Sequence, residues 1–386
     1  MNPLSLLTQA PHIFSKIFGT PIALAQEVNE KPRKVRALLQ DLVVYRRPSD
    51  KELVVLSDVC VHRKASLSLG KLKGDHIECP YHGWQYNAKG MCTLVPSEKP
   101  GTPVAGRARL DSYPVIERFG LVWAFLGDLP EAERPPLPVL PEFGQPGWRA
   151  VWGEFTWNAH YTRVVENTVD VAHTPFVHAN TFGNTKSAVM PSYEVIHDDY
   201  SMMAAIELEA PEPKGISKLV MGKNATNKVE LGIYMPSSNR VGSALGTGWR
   251  IVLLLAHLPV DERTTKTFFV QLRDFFTFGF ADNFSRKFTY QIINEDKLMV
   301  ESQNPQIVPL KASSELSNRS DRLAIEYRKA LLKATEAGWA IDVQKVRHEL
   351  DKEGNVLLVP CPERRAIGKQ SAWVMGEAPT LSTSAQ

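Results

Sequence analysis

Two short loops in the first hundred residues carry both cysteine and histidine. The pattern is Cys60-Val61-His62, sixteen intervening residues, and then Cys79-Pro80-Tyr81-His82. The chain has only four cysteines in 386 residues, which is too few for a disulfide framework. Because thiolates and imidazoles are common ligands of transition metals, this clustering predicts a metal site in a reducing compartment.

Two kinds of metal centre accept two cysteines and two histidines. One is a Rieske [2Fe–2S] cluster, in which two histidines replace two cysteines on one iron. The other is a structural zinc site, in which the chain usually pairs cysteine with cysteine and histidine with histidine. Each loop here contributes one of each, which favours the cluster, with Cys60, His62, Cys79 and His82 as its ligands. Cys92 falls outside this spacing, and we expect it to be a packed core residue.

A second group of metal-binding residue types lies between Glu166 and His178. Glu166, Asp170 and His173 are spaced at i, i+4 and i+7, which predicts one face of a helix. On an ideal helix His178 would point elsewhere, but Pro175 disfavours helix at the residue before it. We therefore expect the chain to turn there and to bring both imidazoles to one metal.

Two histidines need a carboxylate to complete the facial triad that holds mononuclear Fe(II) and leaves positions open for oxygen chemistry. Asp296 is the expected third ligand, and its neighbour Glu295 is the alternative. Asp170 is too close to His173 in sequence to be assumed a ligand. Its expected role is to hold a ligand imidazole through the ring N–H. Four further histidines lack such partners and are expected to be structural: His160, His197, His257 and His348.

The elements that must position these residues fall into two parts. Up to residue 128, short apolar runs such as Leu53–Leu56 and Leu121–Leu126 alternate with turn residues, which predicts a small all-β domain. Six prolines between residues 129 and 147 predict an extended linker. A second domain is expected over residues 148–386.

This second domain has the pattern of an antiparallel sheet with flanking helices. Strands are predicted near 206–210, 229–234, 249–257 and 267–273, and helices near 162–171, 280–303 and 317–337. The expected fold class is therefore α+β. A short amphipathic helix is expected around Pro3–Phe18, and a loose tail from Met375 onward.

Composition excludes several broad classes. Hydrophobic residues make up 43% and charged residues 23%, as in ordinary globular proteins. No apolar run approaches the ~20 residues of a membrane span. The net charge of +3 is too small to indicate nucleic-acid binding. The N-terminus lacks the early charge and unbroken apolar core of a secretory signal, so a cytoplasmic location is expected.

The run Cys60-Val61-His62-Arg63, with Gly70 and Cys79-Pro80-Tyr81-His82-Gly83-Trp84 after it, closely resembles the Rieske domain of ring-hydroxylating and demethylating non-haem iron oxygenases. Val61 replaces a proline that is frequent in the family. The later segments resemble the family's mononuclear iron motif, Glu-x₃-Asp-x₂-His-x₄-His, and its C-terminal Asp-x₄-Glu segment. The C-terminal part looks most like the vanillate and dicamba O-demethylase branch.

The resemblance implies a terminal oxygenase component with a helix-grip-like catalytic domain, using O₂ on a small aromatic or cyclic organic substrate. The product would be a hydroxylated compound, or a hydroxymethyl group that collapses to formaldehyde. It also implies a homotrimer in which Asp170 bridges His82 of one subunit to His173 of the next. Two alternatives stay open: the α subunit of a cis-dihydroxylating dioxygenase, and a pure Rieske electron-transfer protein.

Electrons must come from another protein, because the chain has no Gly-x-Gly-x-x-Gly nucleotide-binding pattern. An NAD(P)H-dependent reductase, a ferredoxin or both are the expected partners. Five basic residues surround the cluster loops and form either a merely solvated face or a docking patch for an acidic donor: Arg63, Lys64, Lys71, Lys73 and Lys89.

Overall fold

The computed structural model describes residues 18–186, 188–209, 226–244, 248–310 and 314–381. The described residues form two compact units. The first contains the chain up to Pro136 and again from Ala334, and the second contains Leu137–Lys333. Within the described ranges, every helix is too short or too polar to cross a bilayer.

The N-terminal part of the first unit is all β, as predicted. Its described strands form three antiparallel sheets, ordered β1-β10-β9, β2-β3-β4 and β5-β6-β7-β8. The strands are β1 (Gly19–Leu24), β2 (Arg33–Ala37), β3 (Gln40–Arg46), β4 (Leu53–Ser57), β5 (Lys71–Lys73), β6 (His76–Glu78), β7 (Gln85–Tyr86), β8 (Cys92–Leu94), β9 (Val115–Arg118) and β10 (Leu121–Phe125).

These sheets hold the two cysteine–histidine loops. The first loop follows β4, and the second connects β6 to β7. Both cysteines are buried in one apolar cluster together with Tyr45, Ile77 and Tyr86. Strands β3 and β4 form an antiparallel hairpin, and so do β7 and β8. The proline-rich stretch that follows contains no strand or α-helix, only the 3₁₀ turn Glu131–Glu133.

The second unit is built on a seven-stranded sheet that is antiparallel throughout, in the order β11-β17-β16-β15-β14-β13-β12. The fold is therefore α+β, as predicted. The elements are β11 (Arg149–Trp157), α1 (Tyr161–Val169), α2 (Thr174–Val177), β12 (Val195–His197), β13 (Ser201–Glu209), β14 (Thr226–Tyr234), β15 (Ser238–Ala244), β16 (Arg250–Asp261), β17 (Thr264–Arg273), α3 (Asp282–Ser302) and α4 (Arg322–Glu336).

Helices α1 and α3 pack on the sheet through one apolar cluster. Val164 of α1 and Ile293 of α3 are buried against Trp157, Leu255 and Phe269 of the strands. This packing fixes the two helices that carry the second group of metal-binding residue types.

The C-terminal residues lie in the first unit, although the sequence pattern placed them with residues 148–333. They form α5 (Val343–Glu353), β18 (Leu357–Leu358), α6 (Pro362–Ile367) and β19 (Gly376–Glu377). The expectation of a loose tail from Met375 is wrong for the described part, because Met375 is buried and β19 pairs with β18. The helix expected around Pro3–Phe18 lies, apart from Phe18, outside the described residues.

Candidate metal centres

His173, His178 and Asp296 come together in the second unit. The two histidine Nε2 atoms are 3.2 Å apart, and each lies 3.2 Å from Oδ1 of Asp296. Among the residues that the structure describes, this is the one place where three histidine, cysteine or acidic donor atoms lie within 4.8 Å of one another. The sequence prediction named the same three residues.

The three donor atoms have the spacing that a small divalent metal requires. Bonds of about 2.1 Å at near right angles separate neighbouring ligand atoms by about 3 Å. The site is shielded from water, since the His178 side chain is 2% exposed and that of Asp296 is 11% exposed. Asp296 Oδ1 is buried and accepts no hydrogen bond, which leaves it available to a metal. The donor set therefore fits mononuclear iron.

The local fold that joins the two histidines differs from the prediction. Helix α1 ends at Val169, so Glu166, Asp170 and His173 do not share one continuous helix. Asp170 caps a new 3₁₀ turn, Val171–His173, by accepting a hydrogen bond from the Ala172 N–H at 2.9 Å. Pro175 does not break the chain. It lies at the start of α2, where a backbone N–H would have no acceptor within the helix, so its absence costs no hydrogen bond.

Glu295, the alternative third ligand, has a different place. Its Oε2 accepts hydrogen bonds from His178 Nδ1 and from the Thr181 hydroxyl, both at 2.8 Å. This contact fixes the His178 ring so that Nε2 faces His173 and Asp296. A carboxylate in that position orients the imidazole.

Asp170 lies beside the other histidine. Its Oδ2 is 3.7 Å from His173 Nδ1, longer than a hydrogen bond, and 41% of its side chain is exposed. His173 Nδ1 is buried and has no hydrogen-bond partner. A small rotation of the Asp170 side chain would satisfy it.

Glu166 does not face the metal-binding residues at all. It forms a bidentate ion pair with Arg328 of α4, with 2.7 Å between Oε2 and the guanidinium. The same guanidinium binds Glu315, which in turn binds Arg163 of α1, each at 2.7–2.8 Å. This partly buried network, which the sequence did not reveal, ties α1 to α4.

The carboxylates and imidazoles of the site shift one another's pKa values. Burial alone would lower the pKa of His173, but the carboxylates of Asp170 and Asp296 outweigh it and raise the pKa to about 9. Burial would raise the pKa of Asp296, but the two imidazoles lower it to about 2. The site thus gathers negative charge around its imidazoles, as a divalent cation requires.

The four predicted cluster ligands lie together in the first unit. Cys60 and Cys79 are buried in the same apolar cluster. The rings of His62 and His82 are 4.5 Å apart, and Trp84 stacks on His62 at 4.7 Å. Sulfur is thus paired with sulfur and imidazole with imidazole across the two loops, as the two irons of a Rieske cluster require.

The two loops have similar backbone closures. The N–H of Lys64 donates to Cys60 O at 2.9 Å, and the N–H of Gly83 donates to Cys79 O at 3.0 Å. Lys64 and Gly83 both have positive φ, at 60° and 70°. Such left-handed residues close tight turns around a centre of this size.

Single-metal coordination by these four residues is not supported. No three of their donor atoms converge within 4.8 Å, as the ligands of one zinc would, although all four residues are described. His62 Nδ1 is buried without a hydrogen-bond partner, which suits a metal ligand. The Tyr86 hydroxyl lies 3.2 Å from Cys60 Sγ and counteracts burial, which raises the pKa of that thiol. The residues therefore fit a [2Fe–2S] cluster.

The cysteine and the histidines that were not predicted to bind metal lie outside both centres. Cys92 is buried in the apolar cluster of the first unit, as expected. His257 is fully buried and hydrogen-bonds to Thr267 and Asn239 at 2.8 and 2.9 Å. His160 is buried beside Thr162, and His197 and His348 are exposed.

Comparison with known proteins gives the family. The model of the Rieske [2Fe–2S] domain matches residues 19–114, and that of the vanillate O-demethylase oxygenase C-terminal domain matches residues 157–337. Residues from 338 onward lie outside both matches.

Individual relatives agree with this. Methylxanthine N1-demethylase NdmA of Pseudomonas putida is 31% identical over 309 residues, which cover 79% of this chain and 83% of NdmA. The oxygenase component of dicamba O-demethylase from Stenotrophomonas maltophilia is 34% identical over 207 residues, 52% of this chain and 59% of that protein. The solved structure of Pseudomonas putida CBB5 NdmA with caffeine has a TM-score of 0.72 at 28% identity, covering 86% of this chain and 92% of NdmA.

An enzyme of this kind carries a Rieske cluster and mononuclear iron, uses O₂, and receives electrons from a separate reductase or ferredoxin. A pure electron carrier has no use for a second metal centre such as the one formed by His173, His178 and Asp296. With both family matches in order along the sequence and both donor sets assembled, the chain belongs to the Rieske non-haem iron oxygenases, as a terminal oxygenase component.

Proposed function

We propose that this oxygenase removes methyl groups from small aromatic or heteroaromatic compounds by oxidative N- or O-demethylation. The observation that carries the proposal is the buried triangle of His173, His178 and Asp296 donor atoms, 3.2 Å on each side. Two relatives, a methylxanthine N1-demethylase and a dicamba O-demethylase, support the choice of demethylation.

Each metal centre has its proposed ligands. His173, His178 and Asp296 hold the mononuclear iron, and the four loop residues hold the cluster: Cys60, His62, Cys79 and His82. Iron held by His173, His178 and Asp296 would supply the activation of O₂. Glu295 keeps the His178 ring in place and holds the proton on Nδ1.

Asp170 is the proposed route between the two centres. Its carboxylate is partly exposed, lies 3.7 Å from His173 Nδ1, and retains an oxygen that accepts no hydrogen bond within the described chain. His82 is exposed in the first unit and can donate from its ring N–H. We propose that the enzyme is a homotrimer in which Asp170 joins His173 of one subunit to His82 of the next.

The proposed electron donor is an acidic ferredoxin or reductase domain. The five basic residues near the cluster loops are all exposed, which supports a docking patch. The proposal places the enzyme in the cytoplasm, and its four free, buried cysteines suit that reducing compartment.

Product analysis tests the function. The purified enzyme, supplied with NADH and a reductase from a related system, is incubated with methylxanthines, methoxybenzoates and their methyl-free analogues. We expect formaldehyde in a one-to-one ratio with a demethylated product identified by mass spectrometry. Ring-hydroxylated or dihydroxylated products without formaldehyde would contradict demethylation.

Two variants serve as controls for that assay. Asp296→Asn removes a proposed iron ligand and should abolish product formation. Asp199→Asn removes an exposed carboxylate from the same unit and should leave the activity unchanged. Equal activity in both variants would show that the product does not arise at the proposed iron site.

A further inference from the structure

A chain of contacts within the first unit connects the C-terminal residues to the loop that carries Cys60 and His62. The segment from Leu357 to Glu377, here called the C-terminal clamp, contains β18, α6 and β19. The clamp packs into the same apolar cluster as both cluster cysteines, through Leu358 and Met375.

The clamp is attached by a buried ion pair. Arg364 donates to both carboxylate oxygens of Asp111, at 2.6 and 2.7 Å, and both side chains are at most 2% exposed. The Cys361 N–H donates to the same carboxylate at 3.3 Å. Because the geometry is bidentate and excludes water, this attachment has one well-defined arrangement.

The ion pair also fixes the position of Met375. The third nitrogen of Arg364, Nη1, donates to Met375 O at 3.1 Å. The next residue, Gly376, pairs in parallel with Leu357. Met375 is 4% exposed, so its thioether has little freedom to move.

Met375 in turn contacts a cation of the cluster loop. Its Sδ lies 2.7 Å from Nζ of Lys64, two residues after the proposed ligand His62. Lys64 adopts a φ of 60°, a conformation that glycine or asparagine would take at lower cost.

We propose that the clamp, through Met375, holds the Lys64 ammonium beside the Rieske cluster and thereby raises the cluster's reduction potential. The Lys64 N–H donates to Cys60 O at 2.9 Å, and Met375, which the ammonium contacts, packs in the same apolar cluster as Cys60 and Cys79. Reduction adds a negative charge to the cluster, and a fixed neighbouring cation stabilises the reduced form. Lys64 and Met375 are thus positioning and tuning residues for electron entry.

Redox titration of the holoenzyme, followed by the visible absorbance of the cluster, tests this. Lys64→Gln removes the charge and should lower the equilibrium constant for cluster reduction at least threefold, which is about 28 mV at 59 mV per tenfold for one electron. Lys64→Arg keeps the charge and should retain most of the wild-type potential. Lys73→Gln removes an exposed charge at the end of β5 and should leave the potential unchanged.

A double-mutant cycle tests the part played by Met375. Met375→Leu keeps the volume but removes the sulfur that contacts Lys64. It should lower the potential in the wild-type background and have no further effect in the Lys64→Gln background, because it acts through Lys64.

Three results would overturn the proposal. They are an unchanged potential in Lys64→Gln, an equal shift in Lys73→Gln, and a Met375→Leu effect of the same size in both backgrounds. If Lys64→Gln does not take up the cluster, Lys64→Met, which keeps the aliphatic stem without the charge, replaces it with the same expected shift.

Discussion

The carboxylate of Glu295 accepts a hydrogen bond from Nδ1 of His178 at 2.8 Å, while the neighbouring Asp296 lies 3.2 Å from Nε2 of the same ring. Two adjacent acidic residues of α3 thus approach opposite nitrogens of one imidazole. Residues next to each other on a helix point about 100° apart, and the ring between them accommodates both directions. One carboxylate faces the proposed metal position and the other orients the ring.

This arrangement predicts different effects for the two carboxylates. Glu295→Ala leaves His178 Nδ1 without its acceptor and should weaken iron binding by roughly 10–100-fold without abolishing it. Glu295→Gln retains an acceptor and should bind iron more tightly than Glu295→Ala. Competition with a graded series of chelators measures both affinities. Wild-type affinity in Glu295→Ala would show that the contact is incidental.

Asp170 should matter for electron transfer more than for holding iron. Asp170→Asn can still accept the Ala172 N–H hydrogen bond, but it removes the negative charge 3.7 Å from His173. We expect both metal centres to be retained and oxidation of the reduced cluster to slow by roughly 10–100-fold. Single-turnover mixing of reduced enzyme with substrate and O₂ measures this rate. A wild-type rate combined with lost mononuclear iron would identify Asp170 as a ligand instead.

The Tyr86 hydroxyl should contribute to the potential of the cluster. It is positioned to donate to Cys60 Sγ at 3.2 Å, and hydrogen bonds to cluster sulfurs stabilise the reduced state. A hydrogen bond of about 1 kcal/mol corresponds to a shift of about 40 mV for one electron. Tyr86→Phe should therefore lower the midpoint potential by about that amount in a redox titration, with the cluster spectrum retained. A potential equal to that of the wild type would exclude this role for the hydroxyl.

His257 predicts how stability depends on pH. Burial lowers its folded-state pKa to about 3, below about 6.5 in the unfolded chain. Between these two pKa values, the unfolded chain therefore carries a proton on His257 that the folded chain lacks. The contribution of neutral His257 is complete above pH 6.5 and falls by about 1.4 kcal/mol per pH unit below it.

Denaturant unfolding between about pH 6.5 and 5 measures this slope. His257→Gln should be less stable than the wild type at neutral pH, because the hydrogen bonds to Thr267 and Asn239 are disturbed. The dependence of its free energy of unfolding on pH should also lose the part that His257 contributes. The exposed His348 provides the matched control, His348→Gln, which should keep the wild-type slope. An unchanged slope in His257→Gln would contradict the prediction.

The proposed metal ligands could be predicted because metal chemistry restricts both residue type and spacing. The role of Glu295 could not, since only the fold shows which of two adjacent carboxylates faces the site. The helix was predicted to break at Pro175, but it ends at Val169, and Asp170 caps a new turn before both histidines. There, a side-chain hydrogen bond to Ala172 competes with continuation of the helix.

Long-range pairing explains most of what the sequence did not reveal. Arg364 and Asp111 are 253 residues apart, and no local pattern connects them. The C-terminal residues were therefore expected to follow the second domain, although they lie in the first unit. Strand β15, Ser238–Ala244, was also missed, because its polar and glycine residues show no apolar alternation and its pairing comes from both neighbouring strands.

The most direct test of the account is the iron and acid-labile sulfide content of the wild type and of Asp296→Ala. The central claim is a mononuclear iron at His173, His178 and Asp296 in a chain that also holds a [2Fe–2S] cluster. The wild type should contain three irons and two sulfides per chain, the sum of the cluster and one further iron. Asp296→Ala should contain two of each, with an unchanged Rieske spectrum and no turnover. Three irons in Asp296→Ala, or zinc in place of iron in the wild type, would contradict the account.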